Sequence, residues 1–188
     1  MYECYGHTVL GLRAIGYKVS VNEFNHHVYN NIDFKSLGTV RETHKKDIRQ
    51  VKEMLQRVKN DGDNVMIRLM SNAPDNWCET VLDMMGLDQI EKVQTPCYLK
   101  PEQSCYEYVE RQYPDERSFI LVDDKMINFK GVMQRPTWNK VLFTGCDASD
   151  YTHYEVSNLS ILNNLEHLAD TIAWKKGTAS QKKHISSV

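Results

Sequence analysis

The sequence predicts an α/β fold, a three-layer, Rossmann-like parallel sheet with helices on both faces. Four consecutive apolar residues, Phe119–Val122, are typical of a strand that is buried on both faces of such a sheet. After about Asn64, apolar runs alternate with helical patterns, as βαβ units require. With 188 residues, of which 41% are hydrophobic, the chain is long enough to bury one core.

Residues 1–45 are predicted to be helices and loops without a strand. Ser20 and Glu23 have capping-box spacing and open a helix that runs to about Asn30. A further helix follows from about Lys46 to Asn60, because its apolar residues recur every three or four positions. We therefore expect residues 1–45 to form a mostly helical appendage to the sheet.

The predicted sheet follows from there. Pro74 and Gly86 mark the start and end of the helix after the first strand. The leucines between about Val156 and Trp174 recur at helical spacing and predict a final helix. The other predicted segments are a strand at Val65–Met70, a weak strand at Lys92–Val93, a helix after Lys100-Pro101, a helix at Lys125–Gln134 and a strand at Lys140–Thr144. The expected organisation is 1–45 as an appendage, 46–174 as the core and 175–188 as a polar tail.

Composition excludes several functional classes. The formal charge of −2 gives no basis for binding nucleic acid or an anionic membrane. No apolar run approaches the length that spans a bilayer. The five cysteines form no C-x-x-C pair, so we expect reduced thiols and no zinc site. We expect an intracellular protein of the cytoplasm or nucleus.

Polar residues follow the predicted strands where ligands bind in open α/β sheets. Ser71 follows the first strand, Asp123 and Asp124 follow Phe119–Val122, and Lys100 precedes a helix. A hydroxyl, an ammonium and two carboxylates suit a phosphate group with a divalent cation. Each residue also has an ordinary interpretation. Ser71 suits a turn, Lys100 suits the surface, and the aspartates suit the start of the next helix.

These residues resemble the motifs of the haloacid dehalogenase superfamily of phosphohydrolases between about Asn64 and Gly145. Leu69-Met70-Ser71-Asn72-Ala73 is similar to its second motif, Lys100-Pro101 to its third, and Val122-Asp123-Asp124-x-x-x-Asn128 to its fourth. The resemblance implies that Ser71, Asn72 and Lys100 bind phosphate, with Ser71 and Lys100 as catalytic residues. It also implies that Asp123 and Asp124 hold Mg²⁺ and that Asn128 orients them.

The N-terminal residues narrow the resemblance. Tyr5-Gly6-His7-Thr8-Val9-Leu10-Gly11-Leu12 is similar to a stretch in the helical cap of pyrimidine 5′-nucleotidase-like phosphatases. Residues 1–45 would then be a remnant of that cap. The implied substrate is a small phosphomonoester, such as a nucleoside 5′-monophosphate.

The first motif of the family is missing. It is an apolar strand that ends in D-x-D, whose first aspartate is the nucleophile, and no such run precedes Ser71. Asp61-Gly62-Asp63 has its apolar residues after the acids, so it is better explained as a turn that ends a helix. Asp147 and Asp150 follow the last predicted strand, but nothing in the family pattern makes them nucleophiles.

Loss of the central first-motif strand would leave two apolar strand edges facing a gap. The chain would be a shortened phosphatase, a degenerate homologue, or a protein whose missing strand a partner supplies; the first is favoured because the sequence starts within the cap-like pattern. We expect little turnover and weak or absent Mg²⁺ binding. The alternative is a non-catalytic protein that keeps the fold for binding or assembly.

Overall fold

The computed structural model describes residues 2–33, 35–60, 65–93, 95, 98–144, 159–162, 164 and 167–172. Within these residues the chain is mixed α/β with two small parallel sheets. The helices are α1 (Tyr2–Tyr5), α2 (Thr8–Ala14), α3 (Val21–Tyr29), α4 (Lys35–Thr43), α5 (Lys45–Asn60), α6 (Asp75–Met85), α7 (Gln103–Gln112), a 3₁₀ helix (Met126–Val132) and α8 (167–172). The strands are β1 (Arg68–Leu69), β2 (Glu91–Lys92), β3 (Phe119–Asp123), β4 (Trp138–Phe143) and β5 (Leu159–Leu162).

The helix ends form as the sequence predicts. The Ser20 hydroxyl accepts a hydrogen bond from the Glu23 N–H, and the Glu23 carboxylate accepts from the Ser20 N–H, so the capping box is complete. Pro74 is the N-cap of α6, and Gly86 ends α6 in the left-handed conformation with φ of 60°. These residues define where the chain enters and leaves α6, which follows the Ser71 turn.

The described strands pair in two groups, β1–β2 and β3–β4–β5. Every pair is parallel. In the larger sheet, Phe119 is opposite Trp138 and Asp123 is opposite Leu142. Parallel pairing therefore places the carboxyl ends of β3, β4 and β5, and with them Asp123, at the same end of this sheet.

Two apolar clusters pack against these sheets. The larger one joins α7, the 3₁₀ helix, β3 and β4 and is formed by Val93, Cys105, Tyr106, Val109, Leu121, Phe129, Val132, Trp138 and Leu142. The smaller one joins α5, α6 and β1 through Leu82, Leu87 and Ile90. Leu69 packs against the smaller cluster and its neighbour Met70 against the larger. Because successive side chains of a strand point to opposite faces, the clusters lie on opposite faces of β1.

A half-buried polar network ties α7 to the start of β4. Arg135 donates to Glu107 and Glu110 at 2.6 Å each, and the Trp138 indole donates to Glu110 at 2.8 Å. The rings of Phe119 and Trp138 stack beneath this network with their centroids 4.6 Å apart. These contacts fix the direction in which β3 and β4 run toward the site.

Three predicted elements differ from the structure. Residues 159–162 were predicted as helix but form strand β5, because β4 offers an edge that pairs with them. The strand predicted at Val65–Met70 is confined to Arg68–Leu69, since only these residues lie opposite β2. The helix predicted at Lys125–Gln134 is a shorter 3₁₀ helix. The tail 175–188, the whole segment 145–158 with Asp147 and Asp150, and the turn Asp61-Gly62-Asp63 lie outside the described residues.

The N-terminal helices contact the site region. A Cβ on Gly6 would lie 2.8 Å from the Pro101 ring and 3.4 Å from Ile127, so Gly6 packs directly against the loop that carries Lys100. Farther along, the Tyr29 and Trp77 rings lie 5.4 Å apart and connect α3 to α6. The domain boundaries stay a prediction. No helix in the described part of the chain is long and apolar enough to cross a bilayer.

Candidate functional site

The centre of the site is a buried ion pair at the end of β3. The Lys100 ammonium lies 2.6 Å from Oδ2 of Asp123, and each residue is only 9% exposed. A buried ion pair is costly to desolvate, so it needs further hydrogen bonds to hold both charges in place. The neighbouring residues supply those bonds on the Asp123 side.

The second carboxylate oxygen of Asp123 has two donors. The backbone N–H of Lys125 and the side-chain amide of Asn128 both donate to Oδ1 at 2.9 Å. The first bond turns the chain sharply after β3, and the second positions the 3₁₀ helix against the strand end. Asp123 therefore organises the loop that the sequence identified as acidic.

Asn72 holds the backbone of Lys100 from both sides. Its Oδ1 accepts from the Lys100 N–H at 2.8 Å, and its Nδ2 donates to the Lys100 carbonyl at 2.9 Å. Ser71 lies one residue earlier, where its hydroxyl accepts from the Ala73 N–H at 3.1 Å. The turn after β1 and the Lys100 loop are thereby joined, although 28 residues separate Asn72 from Lys100.

Lys92 supports this turn and was missed by the sequence reasoning. Its ammonium donates to the Ala73 carbonyl at 2.8 Å and also contacts the Asp75 carboxylate. It lies on β2, 19 residues beyond Ala73, so no local pattern connects them. The only signal in the sequence is that a lysine ends a weak strand beside β1.

Tyr106 holds the backbone of Asn128 in place through a hydrogen bond. Its hydroxyl donates to the Asn128 carbonyl, and the side chain is fully buried in the larger cluster. Burial raises the pKa of Tyr106 far above its ordinary value, so the phenol stays a donor. Gly131 makes this contact feasible, because a Cβ there would lie 2.4 Å from the Tyr106 ring.

The structure brings most of the predicted site residues together. Asn72, Lys100, Asp123 and Asn128 form one chain of hydrogen bonds, and Ser71 adjoins it. Asp124 does not join them, because its side chain is 69% exposed and lies 3.4 Å from the Lys125 ammonium. Asn72 binds protein backbone with both ends of its amide, so its predicted contact with phosphate would need this clamp to open.

The donors present suit a hard divalent cation in part. Asp123 supplies a carboxylate, the exposed Asp124 lies apart from it, and Oδ1 of Asn128 is a buried acceptor without a hydrogen-bond partner within the described part of the chain. Among all the residues that the structure describes, there is no group of three or more acidic, histidine or cysteine side chains that would hold a metal. A cation would therefore share the Asp123 carboxylate with Lys100.

The arrangement places one buried cation beside the Ser71 turn. Lys100 is paired with Asp123 at the carboxyl end of β3, and Asn72 joins its loop to the turn that carries Ser71. Hydrogen bonds from charged donors to phosphate oxygens are stronger than neutral ones, particularly where water is excluded. No protein-family model, curated protein or solved structure matches this chain, so the superfamily resemblance rests on the motif residues themselves.

Proposed function

We propose that this chain is a phosphomonoester-binding protein of the haloacid dehalogenase lineage, with a three-layer α/β core and little or no turnover of its own. The observation that carries the proposal is the junction of the second, third and fourth motif segments at one strand end. Such a meeting is what a phosphate site requires, because its donors and counter-charges must converge on one group.

Each residue has a role in this proposal. Lys100 provides the positive charge that meets the phosphoryl oxygens, and Ser71 provides a hydroxyl donor. Asp123 holds the ammonium in place, and Asn128 holds Asp123. Mg²⁺, if bound, would be held by Asp123 and Asn128 and would neutralise phosphate charge.

The lack of turnover follows from the missing nucleophile. Covalent phosphoryl transfer in this lineage needs a carboxylate placed to attack, and Asp123 is instead paired with Lys100. An enzyme without its nucleophile keeps only the rate that binding and electrostatics provide. Binding without chemistry is therefore the expected activity of this chain.

A non-catalytic role in assembly is the second candidate. Both Asp123 oxygens and both ends of the Asn72 amide are already used by protein groups, as expected for a structural polar network. In that case the cluster stabilises the loop and binds no ligand.

Isothermal titration with inorganic phosphate and a nucleoside 5′-monophosphate tests the proposal. Lys100→Met, at a temperature where circular dichroism shows it to be folded, should weaken binding by roughly tenfold to a hundredfold, the value of a charged hydrogen bond. Ser71→Ala should weaken it several-fold without removing a charge, and the exposed Lys130→Met is the matched control that should leave it unchanged. No binding by the folded wild-type chain would favour the structural role.

A further inference from the structure

Lys92 is a largely buried lysine to which the proposed function assigns no role. It lies on β2 opposite Leu69 of β1, and its side chain is only 9% exposed. Its ammonium donates to the Ala73 carbonyl at 2.8 Å and contacts the Asp75 carboxylate. Because a lysine is rarely buried unless its charge is paired and hydrogen-bonded, these two partners explain its place beside the turn after β1.

The backbone of Ala73 connects Lys92 to Ser71. The Ala73 N–H donates to Oγ of Ser71 at 3.1 Å, while the Ala73 carbonyl is held by Lys92. The next residue is Pro74, and a residue before proline is confined to extended backbone conformations. A contact that fixes the carbonyl therefore also restricts the direction of the Ala73 N–H, and with it the Ser71 hydroxyl.

The bond from Ala73 determines which role remains for the Ser71 hydroxyl. A hydroxyl has one proton to donate and two lone pairs that accept. Since the Ala73 N–H occupies a lone pair, the hydroxyl can turn its proton toward a ligand. The oxygens of a phosphate dianion accept hydrogen bonds, so a phosphate needs Ser71 in this donating orientation.

The two partners of Lys92 belong to the segment that follows Ser71. Ala73 precedes α6, and Asp75 lies in the first turn of α6, where the helix dipole favours a carboxylate. Lys92 thus ties β2 to the segment from Ser71 to Asp75 and limits how far the turn can move. A turn that is held in its binding conformation loses less conformational freedom when the ligand arrives.

We propose that Lys92 is a positioning residue of the phosphate site, which acts through the backbone of Ala73 to keep the Ser71 hydroxyl in its donating orientation. The inference rests on the proposed function, because it names a residue that prepares the same site for its ligand. Lys92 acts without touching the phosphate, so its removal should weaken binding only as far as Ser71 contributes to it.

A double-mutant cycle tests the proposal, with isothermal titration of inorganic phosphate into the full chain. Ser71→Ala and Lys92→Met, each shown by circular dichroism to be folded, should each weaken binding about threefold to tenfold, the value of one neutral hydrogen bond. The combined variant should bind no more than about twofold more weakly than the weaker of the two single variants, since both changes remove the same contact. If Lys92 instead attracted phosphate through its charge, the two losses would add.

Two further variants separate positioning from charge and from stability. Lys92→Arg keeps a cation that donates to the carbonyl and the carboxylate, so it should bind phosphate within about twofold of the wild-type chain. Met85→Ala removes apolar contacts at the opposite end of α6 and should lower stability without changing the affinity. A loss of affinity that Met85→Ala reproduces would overturn the proposal, because any destabilisation of α6 would then have the same effect.

Hydrogen exchange at the Ala73 amide gives a measurement that needs no phosphate. In the ligand-free chain, Lys92→Met should speed this exchange at least about tenfold more than Met85→Ala does, because the bond to Ser71 is loosened. Equal exchange in these two variants, additive losses in the cycle, or binding by Lys92→Met within about twofold of wild type would each overturn the proposal. Failure of the wild-type chain to bind phosphate would overturn the proposed function, and exchange at Ala73 would then decide alone whether Lys92 positions Ser71.

Discussion

At the scale of single residues, the Lys100–Asp123 pair and the caps of the helices determine the local structure around the site. The Lys100 side chain is 11% exposed and the Asp123 side chain 5%, and the Lys100 Nζ lies 2.6 Å from Oδ2 of Asp123. The value of the pair to stability is a difference between a large attraction and a large desolvation cost. Removing one partner is therefore far more damaging than removing both.

Single and double replacement of this pair tests that reasoning. Lys100→Met or Asp123→Asn alone should each destabilise the fold by about 3–5 kcal/mol, because the remaining group loses its buried partner. The combined variant should be less destabilised than the sum of the two. Urea unfolding of the four proteins gives the coupling energy between the two residues. A coupling energy below about 1 kcal/mol, so that the two single effects nearly add, would show that the pair is not coupled.

His7 gives a second residue-scale prediction. It is the N-cap of α2, and its Nδ1 accepts from the Val9 N–H at 3.1 Å. Burial, and then the charge of Arg13, lower the pKa of His7 below its ordinary value of about 6.5. The unfolded chain therefore binds this proton more readily than the folded chain does.

The sign of the pH effect follows. The contribution of His7 is complete above about pH 6.5 and is lost as the pH falls through the lowered folded pKa. His7→Asn keeps an N-cap acceptor but does not titrate, so its unfolding free energy should fall less between about pH 7.5 and pH 5.5. Identical pH slopes for both proteins, measured by urea unfolding, would contradict this role.

At the scale of elements, the site depends on how closely α7 approaches the 3₁₀ helix. A Cβ on Gly131 would lie 2.4 Å from the Tyr106 ring and 2.6 Å from the Pro101 carbonyl. The backbone at Pro101 cannot move without displacing the adjacent Lys100. Gly131 is therefore required by close packing, since its φ is not positive.

Replacement of glycines tests this contact. Gly131→Ala should destabilise the fold by about 1–3 kcal/mol, the usual cost of overpacking a tight core. Gly38→Ala in α4 is the matched control, because a Cβ there meets open space and alanine favours a helix by about 0.5–1 kcal/mol. Thermal unfolding compares them, and equal midpoints would show that Tyr106 and Pro101 yield easily.

The elements also show how far sequence reasoning reaches. Helices with local signals, such as the capping box at Ser20 or the Gly86 stop, were placed correctly because those signals lie within a few residues. The helix predicted over residues 159–162 was wrong. A leucine repeat suits a helix, but these residues pair with the edge of β4, and such pairing is a long-range effect. Periodicity does not reveal which strand edges are open.

At the scale of the whole molecule, the order of the motifs along the chain indicated which residues would gather at one end of the sheets. Asn72, Lys100, Asp123 and Asn128 were singled out from the sequence, and hydrogen bonds join them around one ion pair, with Ser71 next to Asn72 in the chain. The residues that hold them in place could not be predicted from the sequence. Lys92, Tyr106 and Gly131 act through contacts with residues that are distant in the sequence.

The cysteines test the packing of the whole chain. Cys4 is exposed, whereas Cys105 is 1% exposed and burial raises its thiol pKa to about 12. Iodoacetamide at about pH 8 should modify Cys4 quickly and Cys105 only after denaturation, because the thiolate is the nucleophile. Peptide mass spectrometry after timed labelling reads each site, and rapid modification of Cys105 in the native protein would mean that the α7 core opens.

Phosphorus NMR of a nucleoside 5′-monophosphate, incubated with the purified chain and Mg²⁺, tests the central claim most directly because it reports binding and hydrolysis together. We expect the monoester resonance to shift or broaden, with no growth of an inorganic phosphate signal. Lys100→Met, under conditions where it is still folded, should restore the resonance of the free ligand. Growth of inorganic phosphate that Asp123→Asn abolishes would contradict the claim by revealing turnover, and an unperturbed monoester resonance would contradict it by showing that the site binds no phosphate.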